Sequence, residues 1–196
     1  MDSFTYTAPS MTINDYNGDR LSELAVYQGS TGTWYILTVS GELIVSGVNW
    51  GFSGCVPVSG DYDGDGIADL ALYQESTGDW YILTVSGELI ASGVNWGFSG
   101  CVPVSGDYDG DGIADLALYQ ESTGDWYILT VSGELIVSGV KWGFSRCVPV
   151  SGDYDGDGVS DLTVYHEESG YWFIILSESS SASYHKLGAS GYTPVQ

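Results

Sequence analysis

Short apolar runs, separated by acidic and glycine-rich stretches, recur along the whole chain. In residues 55–100 the first run is Cys55-Val56-Pro57-Val58 and the second is Leu70-Ala71-Leu72-Tyr73. After Glu75-Ser76-Thr77-Gly78 comes a third, Trp80-Tyr81-Ile82-Leu83-Thr84. After Ser86-Gly87-Glu88 comes a fourth, Leu89-Ile90-Ala91 with Val94. Runs this short, rich in aromatic and β-branched residues and bounded by Gly, Ser and Asp, read as strands joined by tight turns. No 11-residue window free of glycine shows a helical period. The segment Asn95 to Gly100 then crosses to the next unit.

The pattern returns every 46 residues. Asp-Tyr-Asp-Gly-Asp-Gly begins at Asp61, Asp107 and Asp153, and a drifted copy, Asp-Tyr-Asn-Gly-Asp-Arg, begins at Asp15. Residues 55–100 and 101–146 differ at three positions only: Ala91/Val137, Asn95/Lys141 and Gly100/Arg146. Such identity means recent amplification or design. Four short strands per unit predict an all-β fold, a β-propeller of four-stranded blades with four 46-residue repeats in the chain. A solenoid of β-coils would use a shorter period. Residues 1–196 then form a single repeat domain, with units of approximately 9–54, 55–100, 101–146 and 147–192. Phe4–Pro9 matches Trp50–Cys55, and Leu187–Tyr192 matches Trp142–Cys147 after a one-residue deletion. Both ends carry the same inter-blade piece, which is redundant in a closed ring of four. A longer array and a larger ring completed by a second chain both remain open.

The Asp loops carry the candidate chemistry. Asp61, Asp63, Asp65 and Asp69 occupy positions 1, 3, 5 and 9 of one tight loop, and the Ile67 carbonyl at position 7 adds another oxygen. Ca²⁺ is a hard cation that takes 6–8 oxygen ligands. Gly64 and Gly66 allow the positive φ such a turn needs. Four carboxylates crowded together are costly without a cation between them. The first nine positions are similar to an EF-hand, but position 12 is Leu72, Leu118 or Val164 where an EF-hand has Glu, and strands flank the loop.

The string Val-Pro-Val-Ser-Gly-Asp-Tyr-Asp-Gly-Asp-Gly-x-x-Asp-Leu, then Tyr, then Ser-Thr-Gly-Asp-Trp-Tyr-Ile-Leu, resembles the FG-GAP/VCBS repeats. These build the blades of integrin-α-type propellers and of many bacterial surface proteins. The resemblance covers nearly the whole chain. It implies propeller blades with Ca²⁺ in the hairpin between the first two strands. The implied ligands are Asp61, Asp63, Asp65, the Ile67 carbonyl and Asp69. In the next unit they are Asp107, Asp109, Asp111, the Ile113 carbonyl and Asp115. In the last they are Asp153, Asp155, Asp157, the Val159 carbonyl and Asp161. The first loop departs, with Asn17 for the second Asp, Glu23 for the last and Arg20 for the second Gly. Asp15, Asn17, Asp19, the Leu21 carbonyl and Glu23 form a weaker site with one fewer charge. A solvated acidic turn without metal is the alternative for each loop.

Charge narrows the partners. Asp and Glu number 26 against four Lys and Arg, a formal charge of −22. Nucleic acid needs a basic footprint, so it is excluded as a partner. The same charge disfavours an anionic membrane. No apolar stretch is long enough to insert into a bilayer as a helix. The start lacks a basic segment followed by an apolar core, so no signal peptide is expected there. The resemblance implies an extracellular or cell-surface home.

Cys55, Cys101 and Cys147 hold one equivalent position per unit and read as small buried residues. Trp34, Trp80, Trp126 and Trp172 fall in the third strand. Trp50, Trp96 and Trp142 fall in the inter-blade segment, each before Gly-Phe. Packing between blades is the first reading of both sets. The second set also suits sugar stacking. The only histidines, His166 and His185, lie in the last unit, and no nucleophile elbow or phosphate loop appears, so no enzyme is expected. The expected function is a calcium-stabilised binding or adhesion module for a protein or glycan ligand. The alternatives are a propeller lectin using Trp50, Trp96 and Trp142, and a structural or engineered scaffold that completes its ring as a homo-oligomer.

Overall fold

A computed structural model describes residues 14–194, so Phe4–Pro9 lies outside the described residues. Every element in it is a strand. The first sheet holds β1 (Leu24–Gln28), β2 (Thr33–Leu37) and β3 (Leu43–Asn49). The second holds β4 (Cys55–Val58), β5 (Leu70–Gln74), β6 (Asp79–Leu83) and β7 (Leu89–Asn95). The third holds β8 (Cys101–Val104), β9 (Leu116–Gln120), β10 (Asp125–Leu129) and β11 (Leu135–Lys141). The fourth holds β12 (Cys147–Pro149), β13 (Leu162–His166), β14 (Tyr171–Ile175) and β15 (Ala182–Lys186). Each sheet is an antiparallel meander in chain order, one per repeat. This is the predicted architecture of propeller blades. The first sheet has three strands among the described residues where four were expected.

Local sequence explains the shape of a blade. Tyr73 on β5 faces Trp80 on β6, with ring centroids 5.2 Å apart. The pairing of β6 with β7 skips Gly93, so Trp80 faces Val94 while Tyr81 faces Ser92. Gly93 sits at φ +71°, a bulge conformation that glycine adopts without a Cβ clash. The Glu75–Gly78 turn packs against the crossing segment so closely that a Cβ on Gly78 would lie 2.4 Å from the Gly97 carbonyl carbon. The Trp96 amide donates to the Gly78 carbonyl at 2.9 Å, which pins the crossing to its own blade.

Blades stack through apolar faces. Leu70 and Leu72 of the second blade join Tyr16, Trp34, Ile36 and Val45 of the first in one core. The same interface recurs between the second and third blades, where Leu116 and Leu118 meet Trp80 and Ile82. A third core joins Trp126 and Ile128 to Val164. The strand β5 is buried on both faces for this reason, and its near-continuous apolar run follows from it. Cys55, Cys101 and Cys147 are buried free thiols, and burial pushes each of them up.

Candidate metal centres

The loops Asp61–Asp69, Asp107–Asp115 and Asp153–Asp161 each join the first two strands of their sheet, and Asp15–Glu23 leads into β1. In the second blade, Asp61 accepts the Gly64 amide on Oδ1 and the Gly66 amide on Oδ2, both at 2.7 Å. Asp69 accepts the Tyr62 amide at 2.7 Å. Asp63 accepts from Asp65 at 3.1 Å, and Asp65 from Ile67 at 2.8 Å. The last two are Asx-type turns, each fixing the backbone two residues on. The third blade repeats the set through Asp107, Asp109, Asp111 and Asp115.

These turns gather oxygens. One carboxylate oxygen from each of Asp61, Asp63 and Asp69 lies within 4.8 Å of the others. So it is for Asp107, Asp109 and Asp115, and for Asp153, Asp155 and Asp161. The expected fourth carboxylate stands outside these groups. Asp65 and Asp111 each accept the amide two residues on, as Asp63 and Asp109 also do, and Asp157 groups instead with Asp155 and Glu178. Glu178 was not legible as a site residue. It lies in the turn between β14 and β15, where the equivalent positions are Ser86 and Ser132. An acid replacing serine there was the available signal. Ile67, Ile113 and Val159 use their side chains to cover the preceding loop, over Gly18, Gly64 and Gly110.

Electrostatics distinguish the loops. Burial pushes the Asp69 and Asp115 carboxyls up to about 7, against the amide each accepts, and neighbouring aspartates add to the rise. Desolvation, with charged neighbours, also raises Asp109 and Asp155. At an effective dielectric of 20, two ionised carboxylates this close repel by roughly 3–4 kcal/mol, an upper figure where one is exposed. A divalent cation among them reverses that sign, so the donor sets of the three aspartate loops fit Ca²⁺.

In the first loop the gathered acids are Asp15, Asp19 and Glu23. Asn17 donates its amide to Glu23 at 3.0 Å and to Asp19 at 3.3 Å. Its Nδ2 therefore bridges two of the three gathered acids. Arg20 sits at φ +69°, where the second and third loops have glycine. Leu21 is exposed.

Successive loops are chained together. The Ala68 amide donates to the Asp15 carbonyl, Ala114 to Asp61 and Ser160 to Asp107, each at 2.6 Å. Asp15, Asp61 and Asp107 are buried under the following loop, whereas Asp153 is exposed.

Trp50, Trp96 and Trp142 are half-buried. Their indole nitrogens donate to the next blade, to the Leu70 and Leu116 carbonyls at 2.8 Å and to Phe173 at 3.3 Å. Trp34, Trp80 and Trp126 are buried and donate in turn to the Trp50, Trp96 and Trp142 carbonyls. Apart from Trp172, which is half-buried and donates to the Leu187 carbonyl at 3.2 Å, both sets thus lie in the inter-blade joints. His166 contacts Ser169 Oγ at 2.8 Å and meets the Phe144 ring in a tilted pair with centroids 4.7 Å apart, while His185 is exposed.

The strand order and blade stacking place the chain among the β-propellers. No family model and no curated protein matches it. Solved structures do. A virginiamycin B lyase from Staphylococcus aureus superposes with a TM-score of 0.58 at 13% identity, over 94% of this chain and 58% of that one. A Bacteroides caccae protein of unknown function gives 0.55 at 15%, over 89% and 60%. An Agrocybe aegerita lectin that specifically recognises non-reducing terminal N-acetylglucosamine gives 0.57 at 15%, over 94% and 50%. At these identities the likeness is one of fold alone. The chain spans half to three-fifths of the length of these neighbours, which include both an enzyme and a sugar-binding protein.

Proposed function

We propose that this chain is a calcium-stabilised propeller module that presents a binding or adhesion surface, built from FG-GAP/VCBS-type repeats and working outside the cell. The observation that supports this reading most is the threefold recurrence of one carboxylate triad at the mouth of a blade hairpin. Asp61, Asp63 and Asp69 would hold the ion in the second blade, with Asp65 and the Ile67 carbonyl beside them. The sets around Asp107 and Asp153 would act alike. Bound Ca²⁺ supplies positive charge that locks each loop against the next blade. With the loops fixed, the propeller surface is a rigid platform for a protein or glycan ligand. Calorimetric titration of the calcium-depleted chain tests the metal assignment. Three saturable sites, reduced to two by Asp115→Asn, are expected. A flat titration overturns the reading.

A sugar-binding version draws on one observation, the fold likeness to the Agrocybe aegerita lectin. It would use the exposed edges of Trp50, Trp96 and Trp142. A glycan array decides it: retained sugar binding that Trp96→Phe abolishes supports the version, and an array without signal removes it.

A further inference from the structure

We propose that the first and fourth blades carry the two unmatched halves of the inter-blade interface, and that a second copy of this chain covers both, head to tail, in a closed ring of two chains. The chain contains its own template, because the same joint is built three times between successive blades. Toward the preceding blade, the second blade presents Leu70 at 1% exposure and Leu72 at 0%. The equivalents in the first blade, Leu24 and Val26, are 57% and 65% exposed. Leu21, Tyr35 and Val39 extend the same bare face. Five large apolar side chains together are more than a soluble surface carries by chance.

The fourth blade shows the complementary half. The loop tyrosine is 1% exposed at Tyr62 and 8% at Tyr108, but 42% at Tyr154. Leu187, which stands in the place of Trp50, Trp96 and Trp142, is 73% exposed. The fit extends to single groups. Gly18, Gly64 and Gly110 are each covered by the aliphatic side chain at position 7 of the next loop, whereas nothing lies over Gly156. Among the described residues, Leu21 is the position 7 side chain that covers no glycine of another loop. In the paired copies Leu21 seats over Gly156, and the exposed Asp153 loop receives the lid that Asp61 and Asp107 already have.

Among the described residues, no hydrogen bond, ring contact or core cluster joins the first sheet to the fourth. The solved propellers that superpose on this chain are longer than it is, and the chain matches 58% of the lyase and 50% of the lectin. Two such arcs equal the length of the lectin and overrun that of the lyase. A head-to-tail contact closes when the rotation permits and otherwise runs on into a filament. Closure with two copies leaves neither apolar face bare. The pairing rests on blade packing and not on metal, so it is to be measured with calcium and with chelator.

Sedimentation equilibrium of the full chain is expected to give a species of twice the 20.9 kDa chain mass. A head variant, Leu24→Glu with Val26→Glu, and a tail variant, Tyr154→Lys with Leu187→Lys, each alter exposed side chains only. Each is expected to run at the single-chain mass, with pairing weakened by about a hundredfold or more. Mixed in equal amounts, they are expected to regain the two-chain species, because one intact head then meets one intact tail. A wild-type chain at single-chain mass, an open series of larger species, or variants that still pair alone would each overturn the proposal. If circular dichroism shows a variant unfolded, the wild-type mass alone decides between the outcomes.

Discussion

The first and second Asp loops have the same backbone and opposite solutions to the same charge problem. In both, the position 1 aspartate accepts amides from positions 4 and 6 at 2.7 Å. In both, the position 9 acid accepts the tyrosine amide, at 2.6 Å to Glu23 and 2.7 Å to Asp69. The longer glutamate reaches the same amide. The two loops therefore share one backbone frame. The difference lies at position 3, where Asn17 donates to two acids and Asp63 can donate to none. Both loops gather three acids, but in the first a neutral donor bridges two of them, and in the second no side-chain donor does. The lesson is that the two loops are told apart by the donors set among their acids, not by how the backbone turns.

Removing calcium is the strongest way to break this comparison. A site at a hundredfold excess of free ion over its dissociation constant stabilises by about 2.7 kcal/mol. For a chain of this size each kcal/mol moves Tm by roughly 2–4 °C. Three sites together predict a fall of about 15 °C or more on chelation, read by the tryptophan fluorescence melt. An unchanged melt would place the aspartate loops in the same class as the first.

Single acids sharpen it further. In calcium, Asp69→Asn is expected to cost about 2–3 kcal/mol by removing one ion, while Glu23→Gln costs less than about 1 kcal/mol, the worth of one hydrogen bond. Without calcium the two variants should differ little. Denaturant unfolding in both buffers measures all four values, and equal costs in calcium would sink the distinction.

How far these features could be read in advance follows their physics. The 46-residue period and the strand runs were plain, because each repeat must present the same apolar faces to its neighbours. Trp80 and Leu72 were legible as core for that reason. Leu24 and Val26 were not legible as surface, since their sequence is that of a buried strand and only position in the array exposes them. Asp65 was expected among the gathered acids because spacing shows which acids share a loop, not which of their oxygens converge. The bridging role of Asn17 was hidden likewise, as the letter Asn says ligand or donor equally well.

Asn17→Asp tests the bridge directly. It restores a fourth acid and removes the donor. The calcium titration should gain a site. Without calcium the variant should lose about 1–3 kcal/mol, two hydrogen bonds exchanged for repulsion. A variant that gains no site while losing stability would show that Arg20 or the open first blade, rather than Asn17, limits the loop.

The smallest effects separate backbone strain from charge. Arg20 and Arg146 both sit in the left-handed region, at φ +69° and +70°, where equivalent positions such as Gly66 and Gly100 carry glycine. A side chain there costs roughly 1–2 kcal/mol, which glycine avoids at a cost of about 0.5–1 kcal/mol in chain entropy. Arg20→Gly should therefore stabilise by up to about 1 kcal/mol. Arg146→Gly relieves the same strain but loses the ion pair with Glu168, whose partners are 62% and 57% exposed. Exposed pairs are worth about 0–1 kcal/mol, so the second gain should be smaller or vanish. Urea midpoints in 1 M salt make the separation: screening should raise the Arg146→Gly gain toward that of Arg20→Gly. If salt leaves the two gains as far apart as before, the Glu168 pair is not what distinguishes the two arginines.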